Sequence, residues 1–98
     1  MNIVINPKVK ILANGKSFTV KEMAAKAGAF MPKHLASMES ILVIQQGVCL
    51  IHLENSTQTL NEGDVFIVPA NLKHQIETKQ DFKAIHIMPP DIIFEFFK

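Results

Sequence analysis

The chain has 98 residues, of which 48% are hydrophobic, and a formal net charge of +1. This length suffices for one packed core but not for two, so we expect a single domain over residues 1–98. Lys and Arg are spread along the chain without a basic stripe, which argues against nucleic acid as a partner. No apolar run approaches the roughly 18 to 20 residues that a membrane span needs, so we expect no membrane partner either.

Cys49 is the only cysteine, which excludes an internal disulfide and a thiolate metal cluster. It lies in the apolar run VCLIHL, where a buried structural thiol is more frequent than a reactive one. The first ten residues, MNIVINPKVK, lack the pattern of a secretory signal. A reducing compartment fits best, and we predict a cytoplasmic location.

Short apolar runs rich in β-branched residues recur along the chain with turn signals between them. The turn signals contain Gly, Asn or Pro, which accept tight-turn geometry or end ladder pairing. The runs that we predict as strands are 9–13, 18–20 and onward, 41–45, 48–53, 58–60, 65–68, 75–78, 82–88 and 92–96. This pattern is typical of an antiparallel sandwich or barrel, so we predict an all-β fold.

Residues 20–27, VKEMAAKA, form the one segment whose composition favours a helix. The segment has no N-cap or capping box, leads into Gly28 and Pro32, and has strand-like sequence on both sides. Because tertiary context commonly outweighs propensity, we predict that this segment is extended.

Two blocks of sequence carry a histidine at a fixed spacing from a glycine. The first block, GAFMPKHLASMESILVIQQG, places five residues between Gly28 and His34 and closes at Gly47. It resembles the first motif of the cupin superfamily, which reads Gly, five residues, His-x-His, three or four residues, Glu, six residues, Gly.

The second block, GDVFIVPANLKHQIET, resembles the second cupin motif, which reads Gly, five residues, Pro-x-Gly, two residues, His, three residues, Asn. Gly63, Pro69 and His74 match it. Asn71 replaces the second Gly, as Asn often does at a left-handed turn position, and Thr78 replaces the terminal Asn. The resemblance implies a small antiparallel β-barrel, a double-stranded jelly roll, with its core at about residues 18–89.

The metal-ligand positions of the first cupin motif are only partly kept. In metal-binding members, three histidines and one glutamate hold a divalent metal with positions open for substrate. Here Ala36 stands in place of the second His and Ser40 in place of the Glu, while Glu39 is one residue out of register. The resemblance therefore leaves His34 and His74 on facing strands, which alone make a weak metal site.

A third imidazole would have to come from another strand. Alternation within 82–88 gives His86 one face and its neighbours the other, but the sequence does not say which face points inward. If His86 points inward, it would complete a set with His34 and His74 that Fe, Mn, Ni or Zn accepts. An outward or core-bonded histidine is the more frequent case. His52 carries the same ambiguity.

Four methionines, Met23, Met31, Met38 and Met88, are flexible apolar side chains that fill a core or line an adaptable pocket. Core filling is the more frequent role.

The replaced ligand positions favour a binding module, an apolar barrel that holds a small organic ligand. The candidate ligand-binding residues are His34, His74, Gln45, Ser40 and Met38. The alternative is a metal-dependent dioxygenase or isomerase that uses His34, His74 and, if it faces inward, His86. A third hypothesis is a filled structural barrel whose tail makes the functional contact.

The tail, residues 91–98, reads DIIFEFFK and contains three Phe and two Ile. Such a segment is expected to pack as an extra strand or a short helix on the barrel or on a second copy. The resemblance to small cupins also implies a homodimer. No helix-turn-helix pattern follows the barrel in this sequence, so we do not expect a DNA-reading element.

Overall fold

The computed structural model describes residues 4–97, and its described part is built from β-strands without helices. The strands are β1 (Lys8–Asn14), β2 (Thr19–Ala25), β3 (Lys33–Ala36), β4 (Ser40–Gln46), β5 (Cys49–His52), β6 (Thr57–Leu60), β7 (Val65–Val68), β8 (Gln75–Thr78), β9 (Phe82–Met88) and β10 (Phe94–Phe97). This confirms the all-β prediction. None of the described residues forms a helix long and apolar enough to cross a membrane.

The strands form three antiparallel sheets. The largest has the order β1-β2-β9-β4-β7, a second has the order β6-β5-β8, and β10 pairs with β3. Alternate residues of β4 and β5 are buried, so that each strand turns one face inward. Leu42 and Ile44 from the large sheet and Ile51 and Ile76 from the three-stranded sheet belong to one core cluster, so these two sheets share the barrel interior.

The segment with helical propensity is a strand from Thr19 to Ala25, as predicted, and only its last two residues lie outside β2. All seven residues of β2 pair with β9 and six of them pair with β1. This two-sided pairing outweighs the helical preference of the sequence EMAAKA.

Strand β3 is missing from the strands that we predicted from apolar runs, although the cupin resemblance implied a strand at His34. It has only four residues, follows Pro32 and contains one histidine, so its local pattern carries little strand signal. Its pairing with β10 comes from residues about 60 positions later in the chain, with Phe96 opposite His34. The apolar tail is therefore a strand over Phe94–Phe97; Lys98 lies outside the described residues.

Three motif positions show why the block spacing matters. Asn71 has a φ of 61°, so it occupies the left-handed turn conformation predicted for it. Gly47 has a φ of 82°, and a Cβ there would collide with the Asp81 carbonyl oxygen, so this position requires glycine. The buried Thr78 hydroxyl donates to the Lys26 carbonyl (2.6 Å) and accepts from the Ala29 amide (2.9 Å), which anchors the turn after β2.

Cys49 is fully buried, as predicted from its apolar surroundings. Burial raises the pKa of its thiol to about 12. The thiol is therefore protonated at neutral pH, and the residue acts as a small core side chain.

Candidate functional site

The barrel contains a cavity of about 380 Å³ between the large sheet and the strands β3, β8 and β10. This volume lies within the range of small-molecule sites. Its walls are mainly apolar, and the aliphatic contribution comes from Met23, Met31, Leu42, Val68, Ile76 and Met88. Phe94 and Phe96 of the tail strand also line it. The cavity is thus built by both motif blocks, by the tail strand and by residues of β1, β2 and β9 outside the motifs.

His34 and His74 are paired side by side in the cavity wall. Each donates its backbone N–H to the carbonyl of the other, at 3.0 and 2.8 Å, in an isolated antiparallel bridge. Opposite residues of an antiparallel pair project to the same face. The two imidazole centroids are 4.4 Å apart at an interplanar angle of 62°, and both rings line the cavity.

The two rings are held in the same way by their own chain. Nδ1 of His34 donates to the Pro32 carbonyl and Nδ1 of His74 to the Leu72 carbonyl, each at 2.9 Å. Because a carbonyl only accepts, both Nδ1 atoms carry hydrogen, and in the neutral imidazole Nε2 is then an acceptor. Burial lowers the pKa of His74, the hydrogen bond to Leu72 opposes this, and the nearby His34 lowers the pKa further, so its surroundings favour the neutral imidazole.

His86 faces the interior, which answers the question that strand alternation left open. It lies on β9 between Lys21 of β2 and Leu42 of β4, and it lines the cavity. Its Nε2 is 2.7 Å from the hydroxyl of the buried Ser40. Burial, with additional effects of His34, His74 and Lys21, lowers the pKa of His86 to about 4. His86 is therefore neutral at physiological pH.

Lys21 is a cavity residue that sequence reasoning missed. It is the direct cross-strand neighbour of His86 and lines the same cavity. Among the described residues, no carboxylate lies within salt-bridge distance of it, and no Asp or Glu lines the cavity. The signal that would have found it is the alternation Thr19, Lys21, Met23, but this requires knowing that the segment is a strand.

Three of the five predicted ligand-binding residues do not line the cavity, and two of these are exposed to solvent. Gln45 follows the buried Ile44 on β4 and is exposed, because alternation turns it to the outside of the barrel. Met38 lies in the turn between β3 and β4 and is 37% exposed. The adjacent Glu39 is an exposed turn residue, as its register suggested. Of the predicted ligand-binding set, His34 and His74 line the cavity, whereas the buried Ser40 does not line it and reaches it only through its bond to His86.

His52 lies on the opposite, outer face of the three-stranded sheet. Its Nδ1 is 3.0 Å from the Thr57 hydroxyl and its Nε2 is 2.8 Å from a Glu77 carboxylate oxygen. Lys79 donates to the other oxygen of Glu77 at 2.8 Å. The hydrogen bonds from Lys79 and His52 lower the pKa of Glu77. His52 is thus fully engaged outside the cavity.

The side chains around the cavity do not fit the metal centre of three histidines and one glutamate that the cupin resemblance implies. Among residues 4–97, no group of three or more His, Cys, Asp or Glu is arranged to hold a metal ion. Ala36 is buried and has no donor atom. The hydroxyl of Ser40 is bonded to His86 Nε2, the atom that a third imidazole would offer. Within residues 4–97, His34 and His74 are left with an Nε2 that has no hydrogen-bond partner.

The family model described as the AraC-like ligand binding domain matches residues 23–95, which includes both motif blocks and most of the cavity wall. Among curated protein sequences, none matches this chain. The similarity to known proteins is therefore carried by the family model and by solved structures.

Several solved structures have the same fold. An uncharacterized conserved protein with a double-stranded β-helix domain from Klebsiella pneumoniae has a TM-score of 0.83 at 15% identity, over 95% of this chain and 85% of that one. A cupin superfamily protein from Desulfitobacterium hafniense has a TM-score of 0.79 at 22% identity, over 93% and 84% of the two chains.

An enzyme with the same fold is salicylate 1,2-dioxygenase from Pseudoaminobacter salicylatoxidans, with a TM-score of 0.84 at 11% identity. The match covers 97% of this chain but only 30% of the dioxygenase. At these identities the three structures establish the cupin-type fold, and nothing more is taken from them.

Proposed function

The chain belongs to the family of AraC-like ligand-binding domains, and on this basis we propose that it binds a small organic molecule inside its cupin-type barrel. The observation that carries this proposal is the 380 Å³ cavity with apolar walls and a few convergent polar groups. Such a combination is typical of ligand sites, where apolar surface supplies affinity and a few polar groups fix orientation.

The polar groups of the cavity include two imidazole nitrogens that are available to a ligand. Nε2 of His34 and Nε2 of His74 have no partner among the described residues, whereas the Nδ1 atoms are tied to the backbone. A ring held in this way offers its acceptor in a fixed direction, so little conformational freedom is lost when a ligand donates a hydrogen bond to it. Ser40 contributes indirectly, because it holds His86 in place.

Filling the cavity tests the proposal. Met23→Trp adds volume at a partly buried cavity residue, and Met38→Trp makes the same change at an exposed turn position away from the cavity. We expect ligand-observed NMR with a library of small organic molecules to give binders that Met23→Trp abolishes and Met38→Trp retains. Circular dichroism checks that both variants are folded. Binders that survive Met23→Trp, or no binder at all to the wild-type protein, would contradict the proposal.

A metal-dependent enzyme is the second candidate, because His34, His74 and His86 line one cavity and Nδ1 bonding to a carbonyl is common among metal-ligating histidines. It would require His86 to leave Ser40. Elemental mass spectrometry on untagged protein purified without chelators decides between the candidates. Near-stoichiometric metal that is lost in both His34→Ala and His74→Ala supports the enzyme, and metal far below one per chain supports the binding module.

We also propose that the chain forms a homodimer through the free edge of β1. All seven residues of β1 are exposed, including Val9 and Ile11, and β2 covers only one of its two edges. A two-fold axis at Ile11 would pair β1 with its copy so that Lys10 faces Leu12 and Lys8 faces Asn14, without opposing like charges.

Light scattering tests this interface. Ile11→Lys would place two lysines face to face at the axis, and we expect it to convert a dimer to a monomer. Val65→Lys, on the other edge strand of the same sheet and 62% exposed, is the matched control and should leave the dimer intact. A wild-type monomer, or a dimer broken only by Val65→Lys, would contradict this interface.

The single buried Cys49 also supports the proposal of a cytoplasmic location.

A further inference from the structure

The cavity has an unusual charge pattern for an apolar pocket. Lys21 lines it beside His86, and among residues 4–97 neither Asp nor Glu lines the same space. The ammonium group therefore has no carboxylate partner in the described part of the chain. A lysine at an apolar surface without an opposite charge is favourable only if water or a ligand solvates it.

Two other lysines, Lys79 and Lys26, differ from Lys21 because each lies near a carboxylate. Lys79 donates to Glu77, and Lys26 lies 3.7 Å from Asp81. Both pairs are on the outside of the barrel. The half-buried Lys21 is thus placed differently from these two, on a cavity wall whose other polar side chains are three imidazoles and Asn6.

The imidazoles place a second chemical requirement on the ligand, namely a hydrogen-bond donor. In both His34 and His74, Nδ1 is committed to a carbonyl, and the neutral imidazole that the surroundings of His74 favour then presents Nε2 only as an acceptor. A carboxylate oxygen beside such a nitrogen would find no hydrogen, whereas a hydroxyl group would donate to it. A complementary ligand therefore has an anionic group near Lys21 and a hydrogen-bond donor near His34 and His74.

We propose that the ligand is a small hydroxylated organic acid, whose carboxylate pairs with Lys21 and whose hydroxyl donates to Nε2 of His34 or His74. Its apolar body contacts the methionines and the Phe94 and Phe96 rings of the cavity wall. A phosphate ester is less suited, because its greater charge is usually met by several cationic donors and the cavity holds one lysine. This inference rests on the proposed binding function and narrows it to one chemical class.

Four probes separate the two requirements: 3-hydroxybenzoate, benzoate, 3-hydroxybenzamide and benzamide. The amides keep the shape of the acids but remove the charge, and the unsubstituted rings remove the hydroxyl. Dissociation constants are measured by calorimetry or ligand-observed NMR for the wild type, Lys21→Gln and Lys83→Gln. Lys83 lies on neighbouring β9 at a position that alternates with the inward Ala84 and does not line the cavity, so it is the matched control.

We expect 3-hydroxybenzoate to bind the wild type about tenfold more tightly than 3-hydroxybenzamide, as a charge-assisted hydrogen bond predicts. Lys21→Gln should remove this difference by weakening the acid alone, and Lys83→Gln should preserve it. Removal of the hydroxyl should weaken binding to all three proteins by a similar factor.

The failures of the two proposals are distinguishable. Amides that bind as tightly as the acids, or an acid affinity that Lys21→Gln leaves unchanged, would overturn the inference and leave cavity binding standing. Equal affinities of the hydroxylated and unsubstituted acids would overturn the role assigned to the histidine pair. If none of the four probes binds the wild type while the NMR library still gives binders that Met23→Trp abolishes, the inference is overturned and cavity binding stands.

Discussion

Two polar clusters, each containing histidine and one lysine, lie on opposite faces of the barrel wall. The inner cluster consists of His34, His74, His86 and Lys21, which line the cavity. The outer cluster consists of His52, Thr57, Glu77 and Lys79, which bond to one another.

Each cluster contains a histidine bonded to a hydroxyl, at 2.7 Å for His86 with Ser40 and 3.0 Å for His52 with Thr57. The outer cluster has its own carboxylate and is satisfied by its own members. The inner cluster has no carboxylate among the described residues and retains open acceptors. The comparison supports the proposal that the inner cluster receives a ligand, whereas the outer cluster is satisfied by its own members.

The largest expected difference between the clusters is in their response to acid. The folded pKa of His86, about 4, lies below the ordinary value of 6.5. Between these values the unfolded chain binds more protons than the folded one, so stability falls as the pH drops from 6.5 towards 4. We expect His86 to account for about 2 kcal/mol of lost stability between pH 7 and pH 5.

Urea denaturation at pH 7 and pH 5 measures this loss. His86→Gln can still bond to Ser40 but cannot titrate, so it should reduce the loss, whereas His52→Gln in the outer cluster should not. The lowered pKa of Glu77 has its effect at more acidic pH, as the pH falls below the ordinary value of 4.5. An unchanged pH dependence in His86→Gln would show that the environment of His86 is not as described.

The two hydroxyl groups give the next largest contrast. Ser40→Ala removes the partner of His86 Nε2 from a buried position, where Ser40 is 3% exposed. We expect it to lower the free energy of unfolding by about 1 to 2 kcal/mol, since a buried polar atom loses its hydrogen bond. Thr57→Val in the exposed outer cluster should cost less than about 0.5 kcal/mol. Equal losses in thermal or urea unfolding would remove the distinction between buried and exposed partners.

The smallest effect is expected from the ion pair of the outer cluster. The Lys79 side chain is 50% exposed, and solvent screens its attraction to Glu77. Lys79→Met should therefore change stability at neutral pH by less than about 0.5 kcal/mol. A larger loss in urea unfolding would show that the outer cluster stabilises the barrel more than its exposure suggests.

Much of the fold could be predicted from the sequence, and so could two of the cavity's polar residues, His34 and His74. The glycine and histidine spacing resembles the two cupin motifs, and this resemblance implied the barrel type and a place for His34 and His74 on facing strands. The faces of His86 and Lys21 could not be predicted, because alternation gives parity but not direction. Gln45 was misplaced relative to the cavity for the same reason. Strand β3 was missed because its partner β10 is distant in the sequence.

Methionine methyl NMR tests the central claim, that the inner cavity binds a small organic ligand, most directly. Met23, Met31 and Met88 line the cavity, and Met38 is exposed in a turn outside it, so the chain supplies its own control. With methyl-labelled methionine, titration with 3-hydroxybenzoate should shift the signals of Met23, Met31 and Met88 and leave that of Met38 unchanged. A shift at Met38 alone, or no shift at the three cavity methionines at saturating ligand, would contradict the account.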